Sequence, residues 1–294
     1  MTDHTPDRKR PKDITALAGL SADPKPHLSP SQMNTWQMCP ERWRRRYIEG
    51  EVIPPGVAAH RGTGVHGGAQ INFDQKIESH MDLPADDIVD ASVAAFEHAV
   101  ESKGYAMTPE ESARGATLVV SDAKDMTAAM AKVHADEVAP DYQPIIVEEA
   151  VRIVMPSSTH DLFGYVDLIA GGDGYPEQVV DFKTAGKSKN QGDVDLSNQL
   201  TFYSAASRVL TGVPVDQVRL EVLVGGKRGV KRQLLQSTRG ADDYAVLVHR
   251  VNAVLAGIKA GIFGPAPEGA WWCGPKWCGY WSTCPFVNNK RGAK

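Results

Sequence analysis

The stretch that decides the fold runs from Gly164 to Thr184. It reads Gly164-Tyr165-Val166-Asp167-Leu168-Ile169-Ala170, then Gly171-Gly172-Asp173-Gly174, then Gln178-Val179-Val180-Asp181-Phe182-Lys183-Thr184. Both flanks are apolar and rich in β-branched residues, and the middle is a cluster of turn formers. The pattern predicts a β-hairpin with a somewhat long loop. Each strand carries one carboxylate inside an otherwise apolar run. Alternation puts Asp181 and Lys183 on one face of their strand and Phe182 on the other.

An unpaired buried charge is costly. A divalent cation removes that cost for two carboxylates and makes a reactive centre, and hard oxygen ligands suit Mg²⁺ or Mn²⁺. A lysine beside the ion can orient a water or stabilise charge on a phosphate. A structural Asp–Lys pair on an exposed sheet face is the plain alternative, and the hairpin alone does not separate the two. Asp-x-Lys also occurs at Asp7, Asp23, Asp74 and Asp122, none of them directly after an apolar strand.

The chain has 294 residues and a formal net charge of −4. That length allows one large domain or two small ones, with a sizeable core. The charge announces no polycation, although a local groove can still be basic. No run of about 18 apolar residues is present, so no membrane span is expected. The N-terminus lacks an apolar signal-type segment, which implies an intracellular protein. In that compartment four cysteines suggest metal ligation rather than disulfides.

Residues 1–26 read as a disordered tail, with Arg8-Lys9-Arg10-Pro11-Lys12 either solvated or touching a nucleic-acid backbone. Order is expected from Leu28. Ser29-Pro30-Ser31-Gln32 has the form of a helix start, and that helix stops before Pro40. A second helix, Glu41–Ile48, carries Arg42, Arg44, Arg45 and Arg46 among Trp43 and Tyr47. These arginines either grip a nucleic-acid backbone or are solvated. Arg61-Gly62-Thr63-Gly64-Val65-His66-Gly67 precedes a helix through Ile71 and Phe73. Its glycines could cradle a phosphate, but it is neither a Walker loop nor a dinucleotide fingerprint. Residues 83–140 read as a helical insertion, with helices over Asp86–Ser102 and Pro109–Val138.

Strands are expected at Ile145–Glu148 and Ala150–Val154, with Glu148 solvated at a strand edge rather than serving as an extra acid. A helix from about Asp195 to Leu210 places Gln199 and Tyr203 on one face. Two more strands, Val218–Val224 and Val230–Gln236, precede a helix over Ala241–Ala260. The segment 271–286 holds Cys273, Cys278 and Cys284, spaced C-x4-C-x5-C, and Cys39 lies far away in sequence. Four cysteines make a full ligand set for one [4Fe–4S] cluster or one Zn²⁺. Unligated buried thiols are the third reading. A bound cluster would staple the first helix to the C-terminal part, with an entropic stabilisation of roughly 5 kcal/mol.

Taken in order, these pieces resemble the RecB-like branch of the PD-(D/E)XK nuclease superfamily. Its iron–sulfur members are the nearest in pattern: the AddB C-terminal nuclease domain and CRISPR-associated RecB-like nucleases, including stand-alone phage types. The matching residues are Leu28–Ser31 with Cys39-Pro40, Gly62–His66, Gly164–Asp167, Val180–Thr184, Gln199–Tyr203 and the three late cysteines. The family's late cysteines more often begin C-x2-C, whereas four residues separate Cys273 from Cys278.

The resemblance implies a restriction-endonuclease-like α/β fold over residues 27–290. A mixed sheet of about five strands would be flanked by helices, with an iron–sulfur staple joining the two ends. It implies that His66, Asp167, Asp181 and the Phe182 backbone carbonyl ligate Mg²⁺ or Mn²⁺. Lys183 would position the attacking water, and Gln199 and Tyr203 would orient DNA or Lys183. Cys39, Cys273, Cys278 and Cys284 would hold the [4Fe–4S] cluster. The implied activity is a deoxyribonuclease, an exonuclease on single-stranded DNA or DNA ends, in recombination, repair or phage DNA processing, with a possible recombination or helicase partner. A non-catalytic DNA-end-binding module and a spacer-processing nuclease partnered with an integrase are the alternatives.

Overall fold

The computed structural model describes residues 25–156 and 158–287. The expected tail therefore lies outside the described residues, except for Lys25 and Pro26. These two are ordered: Lys25 Nζ donates to the carbonyls of Met155 (3.0 Å) and Ser158 (3.1 Å). Order thus begins before Leu28.

Among the described residues six strands form one mixed sheet: β1 (His27–Leu28), β2 (Pro144–Ile153), β3 (Asp161–Gly172), β4 (Tyr175–Ala185), β5 (Gln217–Gly226) and β6 (Gly229–Thr238). The order is β1-β3-β4-β5-β6, and β2 lies along β3. The two strands expected between Ile145 and Val154 are the single strand β2. Pairs β2–β3, β3–β4 and β5–β6 are antiparallel, and β1–β3 and β4–β5 are parallel. The hairpin loop is shorter than expected. Asp173 (φ 48°) and Gly174 (φ 77°) alone form the turn. Positive φ at both positions is the twist-matched geometry that Asp-Gly favours, so the strands extend through Gly171 and Gly172.

The pairing of β3 is uneven, and this positions everything that follows. β2 runs along one edge from Leu162 to Ala170. On the opposite edge β1 takes Asp161 and Leu162, while β4 takes Leu168 to Gly172. Among the described residues no strand lies on that edge between Phe163 and Asp167. β4 correspondingly leaves β3 after the pair Leu168↔Val180 and continues from Asp181 to Ala185 beside β5 alone. The two hairpin strands fork at Asp167 and Asp181.

Helices cover both faces. On one side lie α1 (Pro30–Met38), α8 (Asn198–Thr211) and α9 (Ala241–Lys259). Their Met33, Phe202 and Val251 pack with Ile169, Val179 and Val222 of the sheet. On the other side α3 (Val57–Ser79) and α6 (Ala116–Val133) bring Val65, Phe73 and Met130 onto Leu168, Val180 and Phe182. α4 (Ala85–Lys103) and the short α5 (Pro109–Arg114) complete this layer. α6 continues as a π-helical turn, His134–Val138, and a 3₁₀ turn, Ala139–Asp141. α1 starts as its sequence indicates, with the Ser29 hydroxyl accepting from the Gln32 N–H at 3.2 Å. α2 (Pro40–Tyr47) follows it directly.

Between β4 and β5 the helix expected from Asp195 is α8, which starts at Asn198, and a short α7 (Gln191–Asp195) precedes it. Ser197 restarts the chain as a cap, its hydroxyl accepting from the Leu200 N–H at 3.2 Å. A parallel β4–β5 pair requires such a crossover.

The glycines near His66 do not form a phosphate loop. They sit inside α3, where α4 crosses too closely for side chains. A Cβ on Gly68 would stand 2.0 Å from the Ser92 hydroxyl and 2.6 Å from the Ile88 carbonyl. One on Gly64 would meet the Ser92 carbonyl at 2.7 Å. The glycines thus set how near α3 comes to α4, and through α3 they fix the depth of His66. Gly68→Val should destabilise the protein by about 1–3 kcal/mol through overpacking, measured by urea unfolding. An unchanged midpoint would contradict this close approach.

Candidate metal centre

The fork brings groups from both faces of the sheet onto one carboxylate. Asp167 points into the gap between β3 and β4, where the Phe182 N–H lacks a partner from β3. That N–H donates to Asp167 Oδ2 at 3.0 Å. From α8, the Tyr203 hydroxyl donates to Asp167 Oδ1 at 2.5 Å and accepts from Gln199 Nε2 at 2.8 Å. The helical spacing of Gln199 and Tyr203 therefore serves to line up a relay onto Asp167. From α3, on the opposite face, His66 Nδ1 lies 3.7 Å from Asp167 Oδ2. Its Nε2 is 2.9 Å from the Phe182 carbonyl.

Glu148 joins them, although its position in β2 suggests solvation. The register steps from Val147↔Leu168 to Glu149↔Val166, which sets Glu148 opposite Asp167. Its backbone is left-handed (φ 44°), an uncommon state for a residue with a side chain. Its Oε1 lies 3.3 Å from His66 Nδ1. Among the described residues, His66, Glu148 and Asp167 form the group whose ligand atoms all lie within 4.8 Å of one another. This donor set of one imidazole and two carboxylates suits a divalent cation such as Mg²⁺ or Mn²⁺. The strained backbone at Glu148 is invisible in a residue pattern; the doublet Glu148-Glu149 in a strand with an even register was the available signal.

Asp181 lies at the same fork but turns to Lys183, whose Nζ is 2.6 Å from its Oδ1. The expected ligands His66 and Asp167 thus meet at Nδ1, whereas the Phe182 carbonyl lies at the other ring nitrogen of His66, and Asp181 and Lys183 form an adjoining ion pair. Behind Phe182, the His134 ring packs edge-on against Phe73 and Phe182. Burial drives its pKa down to about 3, so it is a neutral buttress.

The electrostatics follow from burial against charge. Burial opposes a proton on His66, but the Asp167 and Glu148 carboxylates outweigh it and push its pKa up to about 9. Both ring nitrogens face acceptors, which only an imidazolium can satisfy by donating twice. Burial raises the Asp181 carboxyl to about 6, with Lys183 pulling it down and Asp167 adding to the rise. Burial also acts against the Lys183 ammonium, yet Asp181 and Asp167 hold its pKa above the ordinary lysine value. Burial and the neighbouring carboxylates push Tyr203 well above its ordinary value, so it stays a phenol and donates.

The arginines of α2 divide. Arg44 pairs with Glu41 (2.8 Å) and Glu49 (2.5 Å). Arg45 is buried, paired with Glu51 at 2.6 Å and donating to the Thr283 hydroxyl at 2.7 Å. Arg42 and Arg46 line a groove between α2 and the C-terminal segment. Cys39 sits between α1 and α2, its Sγ accepting from the Arg42 N–H at 3.4 Å. Burial raises the Cys39 thiol, and the nearby Cys278 and Cys273 raise it further. None of the four cysteines is in a disulfide. Among the described residues they do not gather three ligand atoms as tightly as the His66 group does.

A sheet forked over two acids and a lysine, with an imidazole and a third acid in the gap, defines a candidate hydrolytic metal site. A family model described as the PD-(D/E)XK nuclease superfamily matches residues 27–285, and the chain belongs to that superfamily. No curated protein matches it. Among solved structures it is similar to the crystal structure of SSO0001, with 12% identity over 76% of this chain and 84% of that one, at a TM-score of 0.36. It is also similar to Rai1 of Scheffersomyces stipitis, with 14% identity over 70% of this chain and 59% of that one, at a TM-score of 0.22. No helix among the described residues is long and apolar enough to cross a membrane.

In metal-free protein the His66 imidazole should titrate near 9 by NMR of labelled histidine. Glu148→Gln and Asp167→Asn should each bring it down toward 6.5. Because the folded pKa is raised, the stabilisation from protonated His66 is fully present below about 6.5 and is lost as pH rises through about 9. A His66 titration at the ordinary value would contradict this charge balance.

Proposed function

We propose that the protein is a metal-dependent deoxyribonuclease that degrades DNA from single-stranded ends, in recombination, repair or phage DNA processing. The observation that carries this reading is the meeting of His66, Glu148 and Asp167 beside the Asp181–Lys183 pair, at the fork of the sheet. His66, Asp167, Asp181 and the Phe182 carbonyl would hold Mg²⁺ or Mn²⁺, and Glu148 adds a ligand. The ion would supply Lewis acidity and lower the pKa of a water nucleophile.

This chain's own residues do the rest. Asp167 is held by two donors, the Tyr203 hydroxyl of α8 and the Phe182 N–H of β4. Gln199 orients the Tyr203 phenol. Lys183 carries a positive charge at the cleft, where it can hold an attacking water and offset charge gathering on phosphate oxygens. His66 must release its proton when a cation binds, so metal affinity should rise with pH up to about 9.

The four cysteines are the proposed ligands of a [4Fe–4S] cluster, with Zn²⁺ as the alternative. Two features support this. Cys39 senses Cys273 and Cys278, and the segment bearing the late cysteines is seated on α1 and α2. Trp272 Nε1 donates to the Met38 carbonyl at 3.2 Å, and the Tyr280 hydroxyl donates to the Glu51 carbonyl at 2.5 Å.

The test is degradation of end-labelled single-stranded DNA with Mn²⁺, Mg²⁺ or EDTA. Wild type should cleave only with metal. Asp181→Ala and Lys183→Ala should each lose at least about 100-fold in rate while DNA binding persists. Wild-type cleavage by either variant would overturn the site. Absence of cleavage by folded wild type would leave a DNA-end-binding module.

For the cluster, protein purified without oxygen should be coloured and contain iron and sulfide, and Cys284→Ala should lower the melting temperature. A colourless, zinc-loaded protein would exclude the cluster.

A further inference from the structure

Next to Lys183 the site opens into a cleft of about 520 Å³. Its far wall carries Asn34 and Gln37 of α1, Asn198 of α8, Arg250 of α9 and Lys189. Three of these are amides, whose oxygen and nitrogen ends are set by their partners, and here the partners settle all three.

An arginine only donates. Arg250 Nη1 donates to Asn198 Oδ1 at 2.6 Å and to the Leu196 carbonyl at 3.3 Å. This fixes Asn198, which is buried, with its oxygen toward Arg250 and its NH₂ the other way. That NH₂ donates to Asn34 Oδ1 at 3.3 Å and to Gln37 Oε1 at 3.1 Å. Asn34 and Gln37 are one helical turn apart and both exposed. With their oxygens committed to Asn198, they turn their NH₂ groups to the cleft. Lys183 and Lys189 add ammonium donors to the same cleft.

Of the acids that line it, Asp181 is paired with Lys183, and Asp193 accepts from the Asn190 N–H at 2.7 Å. The part of the wall built by α1 and Lys189 therefore presents donors. A nucleic-acid base edge carries both donors and acceptors, whereas a phosphodiester carries acceptors alone and a negative charge.

The geometry points to a phosphate-binding subsite for the DNA strand, built by Asn34, Gln37 and Lys189 and oriented through Asn198 by Arg250. It rests on the nuclease reading and assigns where a neighbouring phosphate of the same strand lies. Asn198 and Arg250 are positioning residues that act through the two amides of α1.

The test is equilibrium binding of a labelled single-stranded oligonucleotide to the full chain carrying Asp181→Asn, so that binding is read without cleavage. Gln37→Glu and Asn34→Asp replace a donor by a negatively charged acceptor at an exposed position. Each should weaken binding by about 10-fold or more. Asn198→Asp still accepts from Arg250 but cannot donate. The two α1 amides should then turn over, and binding should fall although residue 198 does not touch DNA. Asn252→Asp, on an exposed position of α9, adds the same charge elsewhere and should stay within about twofold. A phosphate partner also predicts that an oligonucleotide with a neutral methylphosphonate at the bound linkage erases the difference between the parent and Gln37→Glu.

If wild type cleaves and the parent binds, but Gln37→Glu and Asn34→Asp keep parental affinity, the subsite is wrong and the nuclease reading stands. If the parent binds no DNA and wild type cleaves none, the nuclease reading fails and the subsite falls with it.

Discussion

The parting of β3 from β4 after Leu168↔Val180 is the constraint on which the site depends. A continuous antiparallel ladder would use the Phe182 N–H for pairing and would seal the sheet between its two helical layers. With the strands apart, that N–H turns to Asp167, and side chains from α3 and α8 reach the same carboxylate from opposite faces. The fork also leaves Asp181 and Lys183 on a strand paired on one side only, open toward the cleft. The stretch Phe163–Asp167, paired with β2 but open on its other edge, is therefore the gap through which the centre is assembled.

The centre is charged and largely enclosed, so its groups must balance one another. Two carboxylates and an imidazole share one small volume, with a second acid–base pair alongside. Without a cation, the proton on His66 and the ammonium of Lys183 supply the positive charge. With a cation, the His66 proton is the one displaced. Tyr203 and Gln199 hold Asp167 without adding charge, since a phenol and an amide donate while staying neutral.

Much of this was legible in the residues. The apolar runs with one acid each, the Ser29 cap, the crossover to β5 and the i,i+4 pairing of Gln199 with Tyr203 all follow from periodicity and local chemistry. What was not legible depended on three-dimensional approach. Gly62, Gly64 and Gly67 read as preceding a helix because glycine lowers helix propensity; the approach of α4 to Gly64 and Gly67 explains them inside it. Glu148 read as solvated because strand alternation says nothing of a left-handed residue or of the neighbour beyond the strand. Arg45 read like the other arginines of its helix, yet of the four it alone is buried, against a segment more than 230 residues away. The helix expected from Asp195 starts at Asn198 because Ser197 caps it, and the short α7 before it, capped by Asn190, was not expected.

That long-range seat has a consequence for the order in which the protein can be made. α1 and α2 are among the first described elements to leave a ribosome, but the segment that covers them, from Trp272 to Thr283, is among the last. Until it arrives, Arg45 has no partner at Tyr280 and Thr283, and the end of α1, which carries Asn34 and Gln37, lacks its contact with Trp272. A contact with so long a loop to close forms late. The central sheet and its acids can therefore assemble while the wall beside them is still incomplete. Completion of the cleft is tied to the arrival of the segment Trp272–Thr283, and a nick within it would be felt first at the far wall rather than at the acids themselves.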